Sequence, residues 1–152
     1  MNTKIILAVV LAIIVVAAWA VNVHRNKGFK TVSSEEFAGI IGDTATVQLL
    51  DVRTKEEYEE GHIANALLVD FYSYNFEEQA TAKLSKEFRL RLSEAKKAVA
   101  VYCRSGRRSA SAAQKLAKLG YEVINLDGGI LAWQRAKSQR SAADGKARFI
   151  AM

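Results

Sequence analysis

The chain of 152 residues contains one cysteine, two histidines and no proline. A single cysteine excludes an intramolecular disulfide and a multi-cysteine metal centre. Beside Cys103, only His24 and His62 could join a zinc site, which would then need carboxylates at an unusual spacing. No metal is therefore expected. Average usage would supply about seven or eight prolines in such a chain, and no functional reading attaches to their absence. Internal repeats are also missing, and no RNA- or DNA-binding signature accompanies the formal net charge of +6. Much of that charge lies just after Cys103 and in the C-terminal stretch. Through residues 83–97, Lys and Arg interleave with Glu. The basic balance reads as a solvated surface, with no nucleic acid as partner.

What is present is ordinary for a globular protein: 50% hydrophobic and 25% charged residues. The length suits one domain with a real core, plus an appendage. The appendage is the apolar run from Ile5 to Val21. A helix of that length spans roughly 25 Å, slightly less than a hydrocarbon core and slightly more than a signal-peptide apolar region needs. It has no polar face, which argues against a core helix. Residues 1–23 are expected to be a transmembrane anchor or a signal peptide, with Ala18–Ala20, "AWA", in the small-x-small form of a cleavage site. Residues 24–29 then form a linker, 30–136 the soluble domain and 137–152 a loose basic tail. Lys4 precedes the apolar run and Arg25, Lys27 and Lys30 follow it, so flanking charge does not fix the orientation. The signal-like start favours a membrane-anchored or exported domain, in the periplasm or otherwise outside the cytoplasm.

From residue 29 onward, apolar strands alternate with capped helices. "FKTV" reads as a strand. "SSEEFAGIIG" reads as a helix with Ser33 and Glu36 at capping-box spacing, Phe37, Ile40 and Ile41 on one face, and Gly42 as its stop. "TVQLLDV", residues 46–52, is a buried strand, and "TKEEYEEG" repeats the capping logic with Thr54, Glu57 and Gly61. "ALLV", residues 66–69, is a further strand, and a helix is expected over about 80–93 with Leu84, Phe88 and Leu92 on its stripe. "AVAVY", residues 98–102, is apolar on both faces, as a central strand requires. A helix over Ser109–Leu119, the strand "EVINL", a "DGG" turn and a short helix buried through Ile130 and Trp133 complete the domain. Strands alternating with helices imply right-handed crossovers and a mainly parallel sheet, hence an α/β fold.

Ligands bind such sheets beyond the carboxyl ends of the strands. Cys103 follows the central strand on that edge, in "VAVYCRSGRRSASAA", residues 99–113. The next helix aims its N-terminal amides back at the loop, and Gly106 permits a sharp turn. Amides, helix dipole and Arg104, Arg107 and Arg108 all favour an anion, and first of all the thiolate of Cys103 itself. Cationic residues are unfavourable at a helix start, and violations of local preference tend to mark functional sites.

Three segments, "LLDVRTKEEYEEGHIANAL", "VYCRSGRRSA" and "NLDGGILAW", together resemble the rhodanese, or sulfurtransferase, domain, in order over about residues 30–136. One departure is "GHIANA", where the family usually shows Pro and Gly at the positions of Ala64 and Asn65. The resemblance implies a six-residue active loop, Cys103 to Arg108, in which Cys103 accepts a sulfane sulfur. Arg104, Ser105, Gly106, Arg107 and Arg108 would bind a small sulfur-containing anion such as thiosulfate. A thiol, cyanide or a protein would accept the sulfur, with no metal or organic cofactor. Asp51 and Arg53 would either brace the loop or simply pair with each other. His62 fits a surface turn, and Trp133 fits the core.

Two other readings share the cysteine. A phosphatase or arsenate reductase also uses a thiolate in an anion-binding loop, but usually needs arginine six positions after it. Here that position is Ser109, and Arg108 stands one residue early. A tethered persulfide carrier or redox-sensing module is the second alternative, because fold alone does not imply turnover.

Overall fold

The computed structural model describes residue 6 and residues 9–16, 28–84 and 98–150. Its elements are α1 (residues 9–16), β1 (Phe29–Val32), α2 (Ser34–Ile41), β2 (Val47–Asp51), α3 (Lys55–Glu59), β3 (Leu67–Leu68), α4 (Phe76–Lys83), β4 (Ala98–Tyr102), α5 (Arg107–Lys118), β5 (Glu122–Leu126) and α6 (Gly129–Ile150). The five strands form one parallel sheet in the order β1-β5-β4-β2-β3. The α/β architecture read from the alternation is the one observed.

β4 lies at the centre and all five of its residues are buried. Side chains alternate across a strand, so Val99 and Val101 face one core layer with Leu50, Phe76, Leu84, Ala112 and Leu116. Ala98, Ala100 and Tyr102 face the other, with Phe37, Leu49, Ile124, Leu126 and Ile130. Leu50, Phe37 and Leu116 are fully buried, and each such side chain contributes about 1.5–3 kcal/mol of transfer free energy.

Local signals fix the helix starts near the site. Thr54 Oγ1 accepts from the Glu57 amide at 3.3 Å, and a Glu57 carboxylate oxygen accepts from the Thr54 amide at 3.1 Å, a complete capping box. At α2 only half of the box forms. Ser33 Oγ accepts from the Glu36 amide, while the Glu36 carboxylate pairs with Lys30 instead.

Several boundaries differ from the sequence reading. β3 is confined to two residues. α4 begins at Phe76, ahead of the expected start near residue 80, because Phe76 and Ala80 anchor it in the core. The remainder of that expected helix, with Phe88 and Leu92, lies outside the described residues. α6 runs to Ile150 and does not end at residue 136, so the loose-tail expectation is replaced by a helix. Lys, Gln, Arg and Ala after residue 136 are good helix formers, and polarity along that stretch does not break a helix. Within the N-terminal apolar run, residue 6 and residues 9–16 are helical and exposed; the rest of the run, including Ala18–Ala20, lies outside the described residues, as does His24. Among the described residues no helix is long and apolar enough to cross a membrane, so the structure gives the expected anchor no support.

Candidate active site

Cys103 stands at the carboxyl end of β4, where the central strand delivers it to the sheet edge and leaves it 1% exposed. The Gly106 amide donates to its Sγ at 3.2 Å, and the Ser109 hydroxyl lies 3.4 Å from the same sulfur. Gly106 reaches this position with φ 91°, a left-handed conformation that turns the loop into α5. The helix starts at Arg107, two residues before the expected Ser109, so Arg107 and Arg108 occupy its first turn and no acidic residue shares it. Ser109 is fully buried, and its hydroxyl, with one proton to give, stands between the Cys103 sulfur and the Gly106 carbonyl at 3.2 Å. Sequence reasoning gave Ser109 only a place in the count. Its position one turn into a helix that points at the cysteine was the available signal.

A second helix start supports the loop from behind. The Ile130 amide donates to the Cys103 carbonyl at 2.8 Å and the Leu131 amide to the Arg104 carbonyl at 3.2 Å. Gly129 makes this approach feasible, since a Cβ on it would lie 2.4 Å from the Cys103 carbonyl oxygen. The sequence reading took "DGG" for a turn alone and missed this function. A glycine pair at a helix start was the clue.

The charged residues divide into paired and unpaired groups. Asp51 and Arg53, expected either to brace the loop or to pair, form a buried ion pair with Arg53 Nη2 2.6 Å from Asp51 Oδ2. Arg53 Nη2 also donates to the Gly61 carbonyl at 2.7 Å, and its guanidinium lies 5.6 Å from the Tyr102 ring centre. The pair thus ties β2 to the turn after α3. Burial works against the Arg53 charge, but the bonds from Asp51 more than offset it and the guanidinium holds its proton more tightly than usual. Burial, followed by the Asp51 charge, raises Tyr102 above the ordinary phenol range, so its hydroxyl stays protonated while accepting from the Ile63 amide at 3.0 Å.

Arg108 is bound fork to fork by Glu57, with both terminal nitrogens 2.7 Å from carboxylate oxygens. The guanidinium pushes Glu57 down to about 2, against an opposing contribution from burial. The Tyr72 ring lies 5.8 Å from the same guanidinium. Arg104, Ser105 and Arg107 are exposed at the loop mouth, and neither of these arginines has an ion-pair partner among the described residues. Beside the loop lies a cleft of about 460 Å³ lined by Arg53, Glu60, Gly61, Arg104, Leu131 and Gln134, among others.

The residues expected outside the chemistry fall as follows. His62 is exposed and stacks on Tyr58 with ring centres 3.7 Å apart. Trp133 packs edge-on against the buried Phe37 ring. Asn65, where the family usually shows glycine, takes φ 65°. Asparagine tolerates that left-handed region, so the departure at Ala64 and Asn65 does not prevent the turn. Among the described residues no group of three or more His, Cys, Asp or Glu could hold a metal ion.

Known proteins share this sequence and fold. The profile of the rhodanese-like domain matches residues 33–136. A sulfurtransferase from Allochromatium vinosum is 36% identical over 107 residues, covering 68% of this chain and 87% of that protein. A thiosulfate sulfurtransferase GlpE from Coxiella burnetii is 37% identical over 89 residues, covering 58% of this chain and 72% of its own length. The BH2092 protein of Bacillus halodurans shares the fold with a TM-score of 0.58 at 28% identity, covering 80% of this chain and 82% of that one. The chain belongs to the rhodanese-like domain family.

Proposed function

We propose that the protein is a sulfurtransferase that carries a sulfane sulfur on Cys103. The thiolate attacks the outer sulfur of a donor such as thiosulfate, forming an S–S bond to Cys103. The bond from that outer sulfur to the sulfonate sulfur breaks, and its electron pair departs with sulfite. The persulfide then bears the negative charge, which the amides of residues 104–108 would cradle. A thiol, cyanide or protein acceptor attacks the outer sulfur and returns Cys103 as thiolate, completing a two-step exchange. No proton or electron has to be supplied from elsewhere.

The observation that carries this reading is the placing of Cys103 Sγ inside a loop of three arginines at the start of α5, 3.2 Å from the Gly106 amide nitrogen and 3.4 Å from the Ser109 hydroxyl. Relatives named as sulfurtransferases support the same reading. Phosphatase chemistry has less behind it, because Arg108, the arginine nearest the required spacing, is engaged by Glu57. The test is intact-mass measurement before and after thiosulfate. The wild type should gain about one sulfur mass and Cys103→Ser none; equal masses in both would reject the proposal. A protein that loads sulfur but turns over with no acceptor would be a carrier.

For the N-terminal segment, we propose a role in bringing the domain to or across a membrane, a reading that rests on the apolar run from Ile5 to Val21 in the sequence. Protease protection in cells stripped of an outer envelope would argue against export.

A further inference from the structure

The loop carries three arginines, and the geometry points to a division of labour among them that rests on the sulfur-transfer reading. We infer that Glu57 is a specificity-determining residue: it withholds the Arg108 guanidinium from the bound donor, leaving Arg104 and Arg107 to take the donor's oxyanion.

Four observations support this assignment. Each terminal nitrogen of Arg108 donates to one Glu57 oxygen at 2.7 Å. A bidentate pair of this kind is directional and resists partial release. Glu57 is itself held from the other side, since one of its oxygens also accepts from the Thr54 amide at 3.1 Å. The capping box therefore sets the carboxylate position independently of Arg108, and the guanidinium comes to it. The pair is largely shielded, with side-chain exposures of 18% for Arg108 and 24% for Glu57, and Tyr72 lies beside the guanidinium. Finally, Arg104 and Arg107 are exposed and have no ion-pair partner among the described residues.

The consequence is electrostatic. With Arg108 paired to Glu57 and Arg53 to Asp51, Arg104 and Arg107 are the cations the loop presents, where its sequence suggests three or four, and Glu60 also lines the neighbouring cleft. A sulfur donor with a dianionic head meets enough charge to bind, yet sulfite is not retained by a third guanidinium after the S–S bond to the sulfonate breaks. Removing the Glu57 carboxylate frees Arg108 beside the sulfur and shifts the site towards tighter anion binding.

Sulfate serves as the probe, titrated calorimetrically against the full chain, alongside steady-state thiosulfate:cyanide transfer. Glu57→Gln should tighten sulfate binding and lower KM for thiosulfate by about fivefold, the fold-change of one partly exposed ion pair. Glu57→Gln combined with Arg108→Gln should return both to wild-type values. Arg108→Gln alone leaves the Glu57 carboxylate uncompensated beside the loop and should weaken sulfate binding by about fivefold, a loss that adding Glu57→Gln reverses, whereas Arg104→Gln should weaken it by about tenfold in either background, as expected for a hydrogen bond to a charged group. Sulfate binding that is unchanged or weaker in Glu57→Gln overturns the assignment, as does an Arg108→Gln loss that adding Glu57→Gln does not reverse. Should Glu57→Gln alone not fold, the double variant against Arg108→Gln decides, and sulfate affinity no higher in the double variant overturns the assignment. The sulfate measurement needs no turnover, so a protein that never loads sulfur would refute the proposed function and leave this comparison readable.

Discussion

Replacing Gly129 with alanine tests whether the active loop is held from behind by the start of α6. The added Cβ would lie 2.4 Å from the Cys103 carbonyl oxygen and 2.6 Å from the Arg104 carbonyl group, against backbone that cannot rotate away. To reach even 3.0 Å, the shortest distance real contacts tolerate, the helix start must retreat by about 0.6 Å, the difference between 3.0 and 2.4. That retreat stretches the amide bonds from Ile130 to the Cys103 carbonyl and from Leu131 to the Arg104 carbonyl, now 2.8 and 3.2 Å. Each is worth about 0.5–1.5 kcal/mol net. Gly129 also has φ 59°, where alanine costs about 1–2 kcal/mol. The total is about 2–5 kcal/mol, which lowers Tm by about 10–20 °C in a domain of this size. Thermal unfolding followed by circular dichroism measures it, and sulfur loading of Cys103 should slow in parallel as the loop shifts. Gly39→Ala is the matched contrast. Gly39 is exposed inside α2 with nothing within 4 Å of its added Cβ, so the same substitution should stabilise by about 0.5–1 kcal/mol. A Gly129→Ala melt within about 2 °C of wild type would refute the reasoning.

Arg53→Ala leaves the fully buried Asp51 carboxylate without its guanidinium; urea unfolding should show a loss of about 3–5 kcal/mol, and a loss below about 1 kcal/mol would mean the pair is dispensable. The pH dependence of stability follows from Glu57, whose folded-state pKa is lowered from 4.5 to about 2 by Arg108. A depressed carboxylate stabilises above its unfolded value and loses that contribution as pH falls from about 4.5 towards 2. Glu57→Gln should flatten this part of the acid unfolding curve, and parallel curves for the two proteins would contradict it.

How far the sequence reached depends on the range of the forces involved. The alternation of apolar strands and capped helices, the burial of "AVAVY" and the Thr54–Glu57 capping box are local patterns, each written within a few residues and each present in the fold. The place of Cys103 was equally legible, because a central strand must end at the sheet edge where ligands bind. The family resemblance carried the loop from Cys103 to Arg108 as a unit.

Within that loop the sequence treated three arginines as equals. Glu57 lies 51 residues before Arg108, and only the adjacency of β2 and β4 in the sheet brings α3 beside the start of α5. Gly129 was likewise a turn residue until the sheet placed its helix under the Cys103 carbonyl. The extent of α6 escaped because a polar stretch of good helix formers has no apolar stripe to reveal it. Periodicity and capping are short-range and survive in a one-dimensional pattern. The partner of a charge, and the backbone that a glycine lets approach, are set by strand order, which chain folding alone decides.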